Sequence, residues 1–403
     1  MGLSFTSEMQ ITLPEYLVGT NRFQNINKII SYNLTWKNEA FDHLKNLLFH
    51  MRDLEASDMD FGGLGAQGKV WYRIFGRKSP DPDMPSYTED EVVAILLSIL
   101  SDEQKITLFK HKNVDFSIGI VLSEKEEPTR FRGDIYYESN TLAANFRLIN
   151  QDLYKIETLG FPKPILKRLD WHYEKSGLIL VTGLTGSGKS CTLDSIIDMN
   201  NHKNSAHIVI IGNPIEYIHK SDKCIVRHRE LGEDVLNFEE GTVQALRQDP
   251  DIIVVGEMRH PKTIATVLEV TDSGHKVFTT LHTSSAVDSI HRIIGEFPPG
   301  EQERIRMRLA DTLKICISLK LVPNRYGKLT LAKEILTVDP SVRAAIRNEN
   351  ISEIYQMITE GKNKGTITME QDLANLYTKN IISRDTALNY ANNRKRMKLL
   401  LSY

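Results

Sequence analysis

Three glycines, a lysine and a serine stand in the order Gly183-Leu184-Thr185-Gly186-Ser187-Gly188-Lys189-Ser190. Glycines at this spacing let a backbone fold around an anion with no Cβ in the way. A helix opening at the lysine would point unpaired N–H groups and its positive dipole end at the same anion. The ammonium would reach β- and γ-phosphates, and the serine hydroxyl would bind Mg²⁺. This is the pattern of a P-loop. Gly183, Thr185, Gly186, Ser187, Gly188, Lys189, Ser190 and Cys191 are therefore the candidate nucleotide-binding residues.

Three further runs end in residues that could act on a bound triphosphate. Asp249-Pro250-Asp251-Ile252-Ile253-Val254-Val255-Gly256-Glu257 has the form of a Walker B strand closed by a carboxylate. Glu257 could serve there as general base toward water or hold that water by way of Mg²⁺. The bland alternative is a surface Glu after a core strand. Lys276-Val277-Phe278-Thr279-Thr280-Leu281-His282-Thr283 ends in His282, with His275 just before it. A lone histidine is usually structural, but a neutral one at this sheet edge could sense the γ-phosphate. Ile211-Gly212-Asn213-Pro214-Ile215-Glu216 follows another strand and brings Glu216 toward the same edge.

These side chains need a sheet with strand ends gathered at one edge. Leu178-Ile179-Leu180-Val181 reads as a buried strand, Thr192 to Met199 as a helix, and from 171 to 340 strand-like runs alternate with helical ones. That alternation predicts a mainly parallel α/β sheet. Before it, Phe41, Leu44, Leu47, Leu48, Met51 and Leu54 follow a helical period. Thr88-Glu89-Asp90-Glu91 and Ser101-Asp102-Glu103-Gln104 read as capping boxes. Val70 to Phe75 and Phe131 to Phe146 have strand composition, so 41–155 is expected to be a small α+β domain. Residues 1–40 show no clear period and are unassigned; 156–170, with Pro162 and Pro164, reads as a linker; 341–403 reads as helical, its apolar stripes more often core than not.

A chain of 403 residues exceeds one typical hydrophobic core. A net charge of −2 gives no support to a general nucleic-acid binder. The basic run Arg394-Lys395-Arg396-Met397-Lys398 is what a helix C-terminus would attract through its dipole. Cys191, Cys224 and Cys316 are too scattered for a thiolate zinc site or a disulfide framework. The first basic residue is Arg22, and no apolar run approaches the ~20 residues of a membrane span, so a soluble cytoplasmic protein is expected.

Over roughly residues 41 to 390 the chain resembles the PilT family of type IV pilus retraction ATPases, within the secretion-ATPase superfamily. The likeness rests on the P-loop, Asn213-Pro214-Ile215-Glu216-Tyr217, Arg229-Glu230, Gly256-Glu257-Met258-Arg259, Ser273-Gly274-His275 and Thr280-Leu281-His282-Thr283. Ala56-Ser57-Asp58-Met59 and the C-terminal Ser341-Val342-Arg343-Ala344-Ala345-Ile346-Arg347-Asn348 add to it. The resemblance implies a homohexamer of RecA-like domains, each with a PAS-like N-terminal domain, binding ATP and Mg²⁺ between neighbours. Ser190 and Glu257 would lie at the metal, and Arg132, Arg147 and Arg229 would be candidate charge stabilisers; the bland reading of each arginine is a solvated charge. It further implies work from the cytoplasm on an inner-membrane pilus or secretion platform protein, with no direct nucleic acid. Retraction is favoured over extension because the four-cysteine zinc motif usual in extension ATPases is missing. A conjugation-like secretion ATPase, a weakly hydrolysing regulatory ring subunit and a nucleic-acid motor are the alternatives.

Four positions, in three motifs, depart from the family pattern. Gly212 and Asn213 stand where the family has Glu and Asp, His260 replaces an Asp, and Cys191 replaces a Thr. At a helix N-terminus beside Lys189, the Cys191 thiol is expected to ionise more readily than a free one if water reaches it.

Overall fold

The structure, a computed structural model, describes residues 2–74, 76–121, 128–149, 153–361 and 364–402. The chain divides into two compact units, Met1–Gln151 and Asp152–Tyr403.

The first unit is α+β. Its strands β1 (Asp58–Gly62), β2 (Val70–Ile74), β3 (Arg77–Pro80), β4 (Asn113–Ile120), β5 (Thr129–Glu138) and β6 (Thr141–Leu148) form one antiparallel sheet in the order β3-β2-β1-β6-β5-β4. Thr88 and Ser101 make the two capping boxes expected of them. The unassigned residues 1–40 belong to this unit. Helices Thr6–Thr12 and Gly19–Tyr32 place Met9, Phe23, Ile26 and Ile30 in its core, and the helix expected from Phe41 begins at Leu34, capped by Asn33. The i, i+3, i+7 spacing of Phe23, Ile26 and Ile30 was present but diluted by asparagines, which are weak helix formers.

The second unit is built on β7 (Gly177–Thr182), β8 (His207–Gly212), β9 (Ile225–Glu230), β10 (Ile252–Val255), β11 (Lys276–Leu281), β12 (Leu313–Pro323) and β13 (Leu329–Thr337), in the order β13-β12-β7-β11-β10-β8-β9. All neighbours are parallel except β12 and β13. Strands buried on both faces read as continuous apolar runs, and their side chains split by alternation. Leu178, Leu180, Ile253, Val255 and Val277 enter one hydrophobic cluster, while Ile179, Val181, Ile252, Val254 and Phe278 enter the other.

Residues 156–170 are not an extended linker. Ile156–Leu159 is a 3₁₀ turn and Lys163–Leu169 a helix with Pro164 in its first turn, where a missing N–H costs nothing. Ile156, Phe161, Ile165 and Leu169 are buried in the second unit. The C-terminal helices Pro340–Arg347, Ile354–Glu360, Met369–Thr378, Arg384–Tyr390 and Arg394–Leu400 also belong to it. Met369, Leu373, Ile382, Ala387 and Met397 pack with Val322 of β12 and Ala332 of β13. Arg394, Lys395 and Arg396 lie at the start of their helix, not its end, so the dipole does not account for them. Arg396 instead stacks 4.6 Å above Tyr355 and donates to Gln356.

Candidate nucleotide site

Four adjacent strands of the parallel sheet, β7, β11, β10 and β8, end at one edge and deliver in that order the P-loop, His282, Glu257 and the loop carrying Glu216. Neighbouring strands lie ~4.8 Å apart, so residues from sequence positions 183 to 282 share one strip of surface. Ligands of open α/β sheets bind at this carboxyl edge.

Within the P-loop, Gly183, Gly186 and Gly188 have φ of 151°, 76° and 89°, values that side chains with a Cβ resist. At Gly183 a Cβ would also stand 2.2 Å from Ser187 Oγ and 2.8 Å from the Leu319 carbonyl. Ser187 is buried, and its Oγ has no hydrogen-bond partner among the described residues. A cradle that a Cβ would fill, lined by an unsatisfied hydroxyl, fits a phosphate oxygen. The helix Lys189–Lys203 starts here with Ser190 and Cys191 exposed in its first turn. Lys189 Nζ donates to the carbonyls of Gly183 at 2.8 Å and Leu184 at 3.1 Å, so the ammonium lies across the loop. Burial lowers its pKa, while Glu257 and Glu216, both close enough to act on it, pull the other way.

Glu257 is held by its neighbours in the sheet. The Gly256 amide donates to the Ile211 carbonyl at 2.8 Å, Thr280 Oγ1 donates to the Gly256 carbonyl at 2.6 Å, and the Met258 amide donates to the Thr280 carbonyl at 3.0 Å. His282 Nε2 stands 3.8 Å from Glu257 Oε1. Partial burial lowers the His282 pKa first, and Lys189, Arg292 and Arg259 add to this against the pull of Glu257. A neutral imidazole at pH 7 follows. Arg292, which the sequence reading passed over, donates to the His282 carbonyl at 2.8 Å.

The loop bearing Glu216 is tied at three points. The Ile215 amide donates to Glu230 Oε2 at 3.2 Å, the Leu231 amide donates to the Gly212 carbonyl at 3.0 Å, and His219 Nε2 pairs with Asp194 Oδ1 on the P-loop helix at 3.1 Å. Asp194 and His219 were also missed; they lie apart in sequence and match no motif. Asn213 is exposed, and a Cβ on Gly212 would stand 2.6 Å from Ile215 Cδ1. Arg229 lies at the same edge, opposite Ile211, and donates to Gln244 Oε1 at 2.8 Å and the Asp234 carbonyl at 3.3 Å.

Two expectations fail. His275 precedes β11 and lies at the amino edge, its carbonyl accepting from Gly177 at the start of β7. A strand of about 20 Å separates it from His282, so within its own chain it cannot reach the phosphates. Ser273 Oγ pairs with its Nδ1 at 3.0 Å. The Cys191 thiol is shifted upward, by partial desolvation first and then by Asp194 and Glu216. Partial burial, the condition under which the opposite expectation no longer holds, is the largest cause, and the two carboxylates add to it.

Arg132 and Arg147 lie in the first unit, on β5 and β6, paired in register. Arg132 forms a bidentate pair with Asp115 at 3.0 and 2.5 Å, and Arg147 Nε donates to Asp58 at 2.9 Å. With Asn113, Asp134 and Asn145 they line a cavity of about 280 Å³.

Residues 143–392 match the family described as Type II/IV secretion system protein. Over 305 residues the chain is 37% identical to the type IV pilus retractation ATPase PilT of Pseudomonas aeruginosa, covering 76% of this chain and 86% of that protein. The chain belongs to the PilT family of secretion ATPases. A twitching motility protein of Neisseria gonorrhoeae is 36% identical over 316 residues, 78% of this chain and 82% of its own length. The crystal structure of the pilus retraction motor PilT with bound ADP superposes with a TM-score of 0.77 at 36% identity, covering 88% of this chain and 98% of that one. The second unit is thus the RecA-like core expected from the sequence, and the protein is an ATPase. Among the described residues no helix is long and apolar enough to cross a membrane.

Proposed function

We propose that this ATPase powers the retraction of a type IV pilus, as a homohexamer that binds ATP with Mg²⁺ at the inner face of the cytoplasmic membrane and works on a membrane-anchored platform protein. The observation that carries the retraction reading is that relatives matched over more than four-fifths of their own length are named for twitching motility and pilus retraction.

Within the site, Lys189 and the loop amides bind the phosphates and Glu257 acts as base toward the attacking water. His282 senses the γ-phosphate as a neutral donor. The Ser190 hydroxyl and the Glu257 carboxylate are hard oxygen donors of the kind Mg²⁺ takes, and the metal would neutralise charge between the β- and γ-phosphates. Glu216 adds negative charge on the same side of Lys189. Arg132 and Arg147, preset by Asp115 and Asp58, reach the nucleotide of a neighbouring subunit, and Arg229 assists from the sheet edge.

Deletion of the gene tests this reading. Loss of twitching with pili still present is expected, restored by the wild-type gene but not by Lys189→Ala or Glu257→Gln. Loss of the pili themselves would identify an assembly motor, and unchanged twitching would point to a secretion platform. Light scattering of the purified protein with nucleotide should give six copies. A weakly hydrolysing ring subunit is the second reading, favoured by Gly212 and Asn213 in place of two acids.

A further inference from the structure

Glu334 is the buried acid of β13, 1% exposed, among Ala332, Ile335 and Leu336. An acid in such surroundings is costly unless its hydrogen bonds are used. Its Oε1 accepts from the Ala286 amide at 2.9 Å. Ala286 is the first residue of the helix Ala286–Gly295, four residues after His282. The Met369 amide, first in the helix Met369–Thr378, lies close enough to favour the ionised carboxylate, but Glu334 Oε2 is buried with no hydrogen-bond partner among the described residues. One side chain thus holds the start of the helix that follows the nucleotide-edge histidine and lies beside the start of a C-terminal helix.

The contacts around it run in the same direction. From the helix Ala286–Gly295, Arg292 holds the His282 carbonyl at 2.8 Å, and Ser289 Oγ pairs with Thr283 Oγ1 at 2.6 Å. Directly opposite Glu334, Ser318 of β12 accepts from Thr182, the residue that precedes Gly183. On the C-terminal side Asn392 donates to the Ser284 carbonyl at 3.3 Å and accepts from Lys320 Nζ at 2.6 Å, and Lys320 also donates to the Tyr390 carbonyl at 2.7 Å. Glu370, itself fully buried, accepts from the Tyr355 hydroxyl and the Asn393 amide, both at 2.7 Å.

We propose that Glu334 is a positioning residue for His282, fixing the start of the helix that holds the histidine's backbone while Asn392 ties Ser284 to the C-terminal helices, so that those helices govern turnover without touching nucleotide. This rests on the reading of His282 as the γ-phosphate sensor. Removing the carboxyl leaves the Ala286 amide buried without its acceptor and frees residues 283–285 to shift, and His282 with them. Burial pushes the Glu334 carboxyl up to about 7, with Glu370 and Asp288 adding to the rise and the two amides opposing it. Lys320 and Cys316 also feel its charge. The ionised form makes the stronger cap, so kcat rises as pH rises through about 7.

The test is a double-mutant cycle on the full chain, read by steady-state phosphate release and by binding of a non-hydrolysable ATP analogue. Glu334→Ala should lower kcat about 10-fold, the scale of one lost charged hydrogen bond, with KM and analogue binding within about twofold. Glu334→Gln keeps a neutral acceptor for Ala286 and should hold kcat at the level wild type shows below the step, above that of Glu334→Ala, with no step near pH 7. Adding Glu334→Ala to His282→Ala should cost nothing further. Should the alanine variant not fold, Glu334→Asp carries the same expectation, because its shorter side chain cannot reach the amide. Wild-type kcat in a folded Glu334→Ala or Glu334→Asp protein overturns the proposal. So do losses that multiply in the double variant, or a pH step that persists in Glu334→Gln. Wild-type kcat in His282→Ala overturns the sensing role itself, and the positioning proposal with it.

Discussion

His282 Nε2 and Glu257 Oε1 lie 3.8 Å apart, delivered by the ends of two adjacent parallel strands, β11 and β10. At this distance the pair is not a tight ion pair. Partial burial first, then Lys189, Arg292 and Arg259, hold the imidazole neutral, so that in the proposed reaction it would leave the Glu257 carboxylate to the attacking water. A charged histidine here would draw that carboxylate to itself.

Binding and hydrolysis should separate by residue. Lys189→Ala is expected to weaken ATP binding, whereas Glu257→Gln keeps shape and binding and loses the base. Turnover in the second should fall by ~10²-fold or more, the scale of a lost general base. Fluorescent-nucleotide titration and phosphate release check the two in one preparation, and wild-type turnover in Glu257→Gln would remove the assignment.

The acid limb of kcat should carry the signature of His282. Its folded pKa lies below the ordinary imidazole value of about 6.5. Half-protonation of His282, and the loss of rate that comes with it, therefore lie below that value, beneath the step assigned to Glu334. The unfolded chain takes up this proton more readily, so the stability His282 contributes is full above the unfolded pKa and is lost as pH falls through the folded one. His282→Asn should flatten the acid limb of a pH–rate profile; an unchanged limb would place the titration on another group.

Asn213→Asp should raise kcat about 10-fold with little change in ATP affinity, because the amide already has the shape of the acid and lacks only its charge. Gly212→Glu should do less. Its Cβ would press on Ile215, whose amide helps hold the loop of Glu216. If wild type is fast and Asn213→Asp leaves it unchanged, this box does not limit the reaction. If wild type stays at background and neither variant rescues it, the ring-subunit reading gains.

Cys191 is exposed, and its thiol is harder to ionise than a free one. Iodoacetamide should modify it before the buried Cys224 and Cys316, yet slowly at neutral pH and faster as pH rises. Peptide mapping across pH 7 to 10, with a small thiol as reference, measures this. Half-maximal labelling at or below the pH of the reference would reverse the sign argued from partial burial, Asp194 and Glu216.

Arg147 should act on a neighbour's nucleotide. Hexamers of Arg147→Ala alone and of Glu257→Gln alone are each expected to be slow, whereas mixing them should restore part of the turnover, since some interfaces then join an intact arginine to an intact base. No recovery on mixing would confine Arg147 to its own subunit or to a structural pairing with Asp58.

Local chemistry decided the parts of this protein that can be read without a fold. The P-loop glycines, the apolar runs of β7, β10 and β11, and the capping boxes at Thr88 and Ser101 depend on backbone sterics and on burial of one strand at a time. Such signals lie within a few residues of each other. The helices before Leu34 were not legible, because their apolar positions are thinned by polar neighbours. The roles of Asp194, Arg292 and Glu334 were not legible at all. Each acts through a partner 10 to 48 positions away, and only strand order sets that distance in space. His275 makes the same point in reverse. Seven residues from His282, it is near in sequence, yet a strand that rises about 3.3 Å per residue carries it to the opposite edge of the sheet.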